Sequence, residues 1–283
     1  MKKTYKTSVS LLTLLFVVLT SYACMGNGQK TSSGKQENAV VQEQEAEADA
    51  VDAVDVSADG LEIPVSPKGL SETIKKRTSY TVSYNHETRQ PNWVAWTITA
   101  AHASGSVQRT DFEDDEDMPS PKGCKSDYYN SGYDKGHMCP AGDNKWSEKA
   151  MNDCFLMTNM CPQNHSLNAG VWNTIEQQCR TWAKKYGKVY VVCGPVYLNK
   201  THRKIGSNKV VVPEAFFKVV LCTKGTPKAI GFICRNQSQK GKKKTDFVNT
   251  VDEVERITGY DFFPQLPDKT EKAIEAACDI NEW

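Results

Sequence analysis

From Tyr80 onward, short segments of strand-like apolar patterning outnumber long helical ones, and this restricts what the chain can fold into. Tyr80–Tyr84 and Trp93–Thr99 alternate with the period of two that a half-buried strand requires. Lys188–Pro195 reads as a buried strand ending in a turn. Phe216–Leu221 and Ala229–Cys234 read as two more, joined by the turn residues Lys224-Gly225-Thr226-Pro227. The strongest helical pattern is Ala169–Tyr186, where Val171, Trp172, Ile175, Cys179 and Trp182 recur at three- and four-residue spacing and Gly187 closes the run. Asp246–Thr258 and Thr270–Cys278 are weaker helical patterns. Strands in succession with few helices between them favour antiparallel pairing, because parallel strands need long crossovers. The expected fold is therefore α/β of the α+β type, a central and largely antiparallel sheet flanked by helices. At 39% apolar and 24% charged residues, the chain can bury a sizeable core.

The N-terminus reads differently. Lys2, Lys3 and Lys6 precede the apolar run Leu11–Leu19, and Ser21-Tyr22-Ala23 supplies small residues for a signal peptidase. Residues 1–23 are expected to be a signal peptide, too short in its apolar part to span a bilayer comfortably. Cys24 follows directly, as in a bacterial lipoprotein, but Ser21 stands where such signals usually carry Leu. Ordinary secretion and a membrane tether through lipidated Cys24 both stay open. The expected location is exported: periplasmic, extracellular or lipid-anchored at a bacterial envelope. Residues 24–66 form an expected tether, acidic and almost without aromatics, which cannot bury enough apolar surface to offset its ordering entropy. Residues 67–283 remain as the folded domain. Five lysines precede Gln36 and nine acids lie between Gln36 and Glu62, so residues 63–283 carry 30 basic and 25 acidic side chains, a net of +5. That excess is compatible with a polyanionic partner.

Beyond Cys24 there are nine cysteines, and in an oxidising compartment several are expected to form disulfide bonds. No CxxC pair occurs, which argues against a zinc ribbon or thioredoxin-type site. The tract Lys240-Gly241-Lys242-Lys243-Lys244 suits either a solvated loop or contact with nucleic-acid backbone.

The stretch from Ser131 to Arg180 concentrates chemistry. His137 lies on a turn-and-strand, a second strand follows, and Asn168 stands where the predicted helix begins, at its N-cap. Glu176 is eight residues on, nearly the same side of that helix. An oxygen ligand and a carboxylate so placed can bracket a hydrated magnesium ion, with His137 deprotonating a water. Singly, Asn168 is as readily a cap, Glu176 a surface carboxylate and His137 a core histidine. A zinc set of His137, Cys139, Cys161 and His165 lacks close ligand spacing, and a Cys/His hydrolase needs a reactive thiolate.

Jointly, four elements closely resemble the DNA/RNA non-specific endonucleases of the ββα-metal superfamily: Asp134-Lys135-Gly136-His137, Thr158-Asn159-Met160-Cys161-Pro162-Gln163, Leu167-Asn168-Ala169-Gly170-Val171-Trp172 and Glu176. The flanks fit more loosely, with Arg109 at the position of a phosphate-contacting Arg. The resemblance implies a ββα-metal motif and an enzyme that hydrolyses DNA and RNA through backbone recognition, leaving 5′-phosphates. It implies His137 as general base, Asn168 as direct ligand of Mg²⁺ (with Mn²⁺ as substitute), Glu176 holding the metal through water, Arg109 on a phosphate oxygen and Asn159 positioning the site. Lys135 replaces the family's Arg and would bind phosphate as a point charge rather than a fork. Cys139 and Cys161, each two residues past a site residue, are a candidate disulfide. The alternative is a non-catalytic nucleic-acid-binding surface protein on a nuclease-like scaffold.

Overall fold

A computed structural model describes residues 60–283. The signal segment, Cys24 and most of the tether lie outside the described residues. The folded body starts earlier than composition suggests: Leu61 is buried, Val65 bridges to Asp261, and the Trp93 indole donates to Ser66. Leu61 enters the core with Ile63 packed against it, and Pro64 is buried beside them, so this short apolar segment docks on the sheet.

The strands and helices, in chain order, are β1 (Thr73–Lys76), β2 (Tyr80–Asn85), β3 (Gln90–Thr99), β4 (Asp134–His137), α1 (Glu148–Cys154), β5 (Met160–Gln163), α2 (His165–Leu167) and α3 (Asn173–Tyr186). They continue with β6 (Lys188–Val196), β7 (Lys204–Ile205), β8 (Val210–Val211), β9 (Ala215–Cys222), β10 (Lys228–Arg235), β11 (Val248–Asn249), α4 (Val251–Thr258) and α5 (Asp268–Glu275). Seven strands form one sheet in the order β1-β2-β3-β6-β9-β10-β11, every pair antiparallel. The expected fold class is what is observed.

Period-two alternation distributes the central strands between two cores. Val94, Trp96 and Ile98 of β3 face one side with Val191 and Cys193 of β6 and Phe216 and Val220 of β9. Trp93, Ala95, Val192, Phe217 and Leu221 face the other, covered by α4 and α5. The first face carries α3 and the two-stranded β4–β5 ribbon, so the functional stretch is a ββα unit mounted on a rigid sheet.

The helix differs from its predicted form. Asn168 is not an N-cap but sits inside a helical run, with φ −57° and ψ −54°. The run starts at His165 because the Asn164 side chain accepts from Ser166 N at 3.0 Å and caps it. Residues Asn168–Trp172 form a widened turn with non-helical angles at Gly170 (φ −102°, ψ −115°), and α3 then runs to Gly187, whose φ of 87° ends it.

The expected disulfide is corrected as well. All nine described cysteines are free. In the β4–β5 register Gly136 faces Cys161 and His137 faces Met160, so Cys139 is three residues out of register with Cys161. That offset exceeds the reach of a disulfide.

Candidate active site

The β4–β5 ribbon, the turn Asn168–Trp172 and α3 enclose a cleft of about 650 Å³. Arg109, Lys135, His137, Asn168 and Glu176 all line it, so five of the six residues singled out in the sequence come together. Four basic side chains, Arg109, Lys135, Lys145 and Arg180, outnumber Asp134 and Glu176 there, which favours an anion.

His137 ends β4 and is only 9% exposed. Phe155 meets its ring edge-on at 4.7 Å and Phe112 lies 5.5 Å away, between centroids. Burial against these rings, with the charge of Arg109, pulls its pKa down to about 3. The imidazole is therefore neutral at pH 7, the form that can accept a proton, and its Nε2 is buried without a hydrogen-bond partner. Gly136 beside it is required sterically: a Cβ there would lie 2.6 Å from Gln163 Cβ, which no side-chain rotation can move away.

Asp134, the first residue of the Asp134-Lys135-Gly136-His137 element, sets the orientation of Asn168. Its Oδ2 accepts from Asn168 Nδ2 at 2.9 Å and pairs with His165 Nδ1 at 2.8 Å. A carboxylate can only accept, so Asn168 must turn its amide nitrogen to Asp134, leaving its carbonyl oxygen free for the cleft. Two hard oxygen donors, this carbonyl and the Glu176 carboxylate, are of the type magnesium selects. His165 is thereby occupied with Asp134, and among the described residues the postulated zinc set does not converge.

Glu176 is half-buried on α3, and burial pushes its pKa up to about 7. Lys218 opposes that rise, Asp143 adds to it, and Arg180 and Arg109 oppose it. Behind the glutamate, buried Asp143 accepts from Trp96 Nε1 (2.9 Å) and Arg180 Nη1 (2.7 Å). Lys218 is 1% exposed, its ammonium 4.9 Å from the Trp96 ring and 4.5 Å from that of Trp172. Burial alone would lower its pKa, but Cys193, Glu176, Cys179 and Asp143 together raise it, so it stays charged beneath the cleft. This lysine was not among the residues singled out in the sequence; its one signal there is a charge in the middle of an apolar strand.

Asn159 is the exception among the six. It is fully buried outside the cleft: its Oδ1 accepts from Cys139 N (2.9 Å) and its Nδ2 donates to Cys139 O and Cys154 O (both 2.8 Å). It ties the strand leaving His137 to the end of α1 and does not face a substrate. Asn159→Ala should cost about 2–4 kcal/mol, since it strands a buried backbone N–H and removes three hydrogen bonds. Urea denaturation checks this; an unchanged midpoint would show the asparagine to be dispensable for the fold. The Lys135 ammonium lies 5.1 Å from the Phe112 ring centroid and 5.8 Å from that of Tyr128.

Residues 57–269 match the family model of DNA/RNA non-specific endonucleases. The mitochondrial nuclease EXOG of Xenopus laevis is 34% identical over 72% of this chain. This chain spans 61% of that protein's length. The mitochondrial nuclease of Saccharomyces cerevisiae is 33% identical over 75% of this chain and 72% of its own, and endonuclease G of Bos taurus 31% identical over 68% and 70%. A crystal structure of endonuclease G bound to its inhibitor EndoGI superposes with a TM-score of 0.66 at 31% identity, covering 69% of this chain and 87% of that one. These relatives are mitochondrial by name, and that overturns the expected location at a bacterial envelope, along with the lipid tether on Cys24.

Proposed function

This chain belongs to the DNA/RNA non-specific endonuclease family, and from that premise we propose that it is a metal-dependent endonuclease hydrolysing phosphodiester bonds of both DNA and RNA. The observation that carries this reading is the meeting of a neutral, unpaired His137 imidazole, the freed Asn168 carbonyl and Glu176 in one cationic cleft.

The neutral His137 imidazole takes the proton of a water as its oxygen attacks phosphorus; the bond to the 3′ oxygen breaks, and that oxygen takes a proton from solvent to leave as a 3′-hydroxyl beside a 5′-phosphate. Arg109 and Lys135 hold non-bridging phosphate oxygens. Arg109 grips with a fork and Lys135 with a single rotatable charge, which tolerates varied backbone geometry. With no base-edge reader required, DNA and RNA are both accepted through phosphate. Asn168 would bind Mg²⁺ directly and Glu176 would hold its water shell, with Mn²⁺ as substitute. That ion, when bound, stabilises the negative charge developing at phosphorus and on the departing oxygen. Asp134 keeps the Asn168 carbonyl aimed into the cleft, and Asn159 positions His137 from behind.

The test is metal titration. Protein stripped with EDTA should digest neither plasmid DNA nor RNA, and added Mg²⁺ should restore both. Asn168→Ala should raise the Mg²⁺ concentration for half-maximal rate by about tenfold or more, the scale seen when metal-site partners are removed. Undiminished digestion by stripped protein, or an unchanged Mg²⁺ requirement in the variant, sinks the metal assignment.

A further inference from the structure

The cleft does not account for the lysine tract. A second hollow lies on the other side of the widened helical turn, walled by Ser166, Gly170, Val171 and Thr174 and roofed by Lys240, Lys242, Lys243 and Lys244. Lys240, Lys242 and Lys243 are exposed and Lys244 is partly so. Among the described residues, no carboxylate pairs with any of the four ammonium groups. A tract that served only as a solvated face would have no need of a fixed seat, but this one has one. Ser166 Oγ accepts from Gln239 N (3.3 Å) and from Ser238 Oγ (3.2 Å), fastening the loop to α2. Asp246 accepts from Lys243 N at 3.1 Å and closes its far end.

The two hollows share one wall. Asn168 and Asn173 face the cleft, whereas Gly170, Val171 and Thr174 face the lysines, so the helical run is a ridge between them. A helix with side chains is about 10–12 Å across. A strand of duplex rises about 3.4 Å per nucleotide, so crossing that ridge takes roughly three to four nucleotides.

We propose that Lys240, Lys242, Lys243 and Lys244 form a second phosphate-binding surface for the nucleic acid held in the cleft, engaging its backbone three to four nucleotides from the bond that is cut. This rests on the reading of the cleft as a phosphodiesterase site. The lysines add no base contacts; they give the enzyme a preference for long substrates over short ones and much of its salt sensitivity.

The experiment compares the wild-type chain with the variant carrying Lys240→Ala, Lys242→Ala, Lys243→Ala and Lys244→Ala, and with the matching four Lys→Arg changes. A dinucleotide substrate ends before the ridge, so kcat/KM on it should stay within about twofold. On a 30-base-pair duplex in moderate salt the alanine variant should lose about tenfold or more, and the arginine variant should retain activity. Duplex binding, measured on His137→Ala protein so that nothing is cleaved, should show a log Kd against log salt slope reduced by about 0.9 for each phosphate the variant no longer neutralises, in total by about 2 or more. An unchanged slope, an equal loss on both substrates, or lost binding to phosphatidylserine vesicles with duplex binding intact overturns the proposal. If the wild-type chain cleaves neither substrate, the cleft reading fails instead, and the salt slope still decides what the lysines do.

Discussion

His137→Ala is expected to lower kcat/KM on DNA and on RNA by about 10²–10⁴-fold, the range that general-base catalysis contributes, while the fold is retained. Both halves follow from the same surroundings. Phe112 and Phe155 pack against the ring and Nε2 has no protein partner, so its removal orphans no hydrogen bond. The burial that keeps the imidazole neutral also carries a pH signature. The folded pKa is about 3 against an ordinary 6.5, so between those values the unfolded chain binds a proton that the fold refuses. Stability contributed at this site is full above pH 6.5 and is lost as pH falls toward 3, and His137→Ala should flatten that slope. Circular dichroism melts at pH 4 and pH 7, with initial rates at pH 7, measure both. A variant with near-wild-type turnover would remove His137 from the reaction, whatever its effect on the melts.

The parts legible in the sequence were those whose signal is local. Alternation in Trp93–Thr99 and the apolar runs Lys188–Pro195 and Phe216–Leu221 located the central strands, because side-chain period and burial are set by the sheet itself. Linear spacing also brought His137, Asn168 and Glu176 to one cleft despite the misplaced helix start, since a widened turn moves Asn168 along the helix without removing it from the wall. What spacing could not show is which atom a side chain turns toward. Asp134 was one letter of a tetrad until its bond to Asn168 fixed the amide. Asn159 was given a positioning role on resemblance, but spacing could not say that its side-chain bonds all go to backbone behind His137. Lys218 was hidden because its charge is balanced by Glu176 and Asp143, which are distant in sequence. Cys139 and Cys161 shared a spacing but not a register, and register is a property of two strands together.

A larger effect on stability is expected far from the cleft, where α5 packs near α4. Carboxylate oxygens of Asp252, Glu255 and Glu275 lie within 4.8 Å of one another. Glu275 is 5% exposed, and its Oε1 is buried without a hydrogen-bond partner. Burial first, then repulsion from Glu255, Glu271, Asp252 and Asp261, pushes its pKa up to about 9. Glu255, buried in part and accepting from Phe262 N at 2.7 Å, is pushed up to about 7. Here the sign is opposite to that of His137. The fold holds a proton on Glu275 that the unfolded chain releases above its ordinary 4.5, so the contribution is full below 4.5 and lost as pH rises toward 9. At about 1.4 kcal/mol per unit the ceiling is about 6 kcal/mol, and screening at the solvent-facing side of the cluster halves that to about 3 kcal/mol. Glu275→Gln keeps the volume and the neutral form at every pH, and its amide can donate to the neighbouring carboxylates. It should match the wild-type chain at pH 4.5 and exceed it by about 3 kcal/mol at pH 9 in urea denaturation, whereas Asp252→Asn, at an exposed position, should change far less. Parallel pH profiles for Glu275→Gln and the wild-type chain would mean that Glu275 ionises at no cost to the fold, and that the two helices meet without the strain this cluster implies.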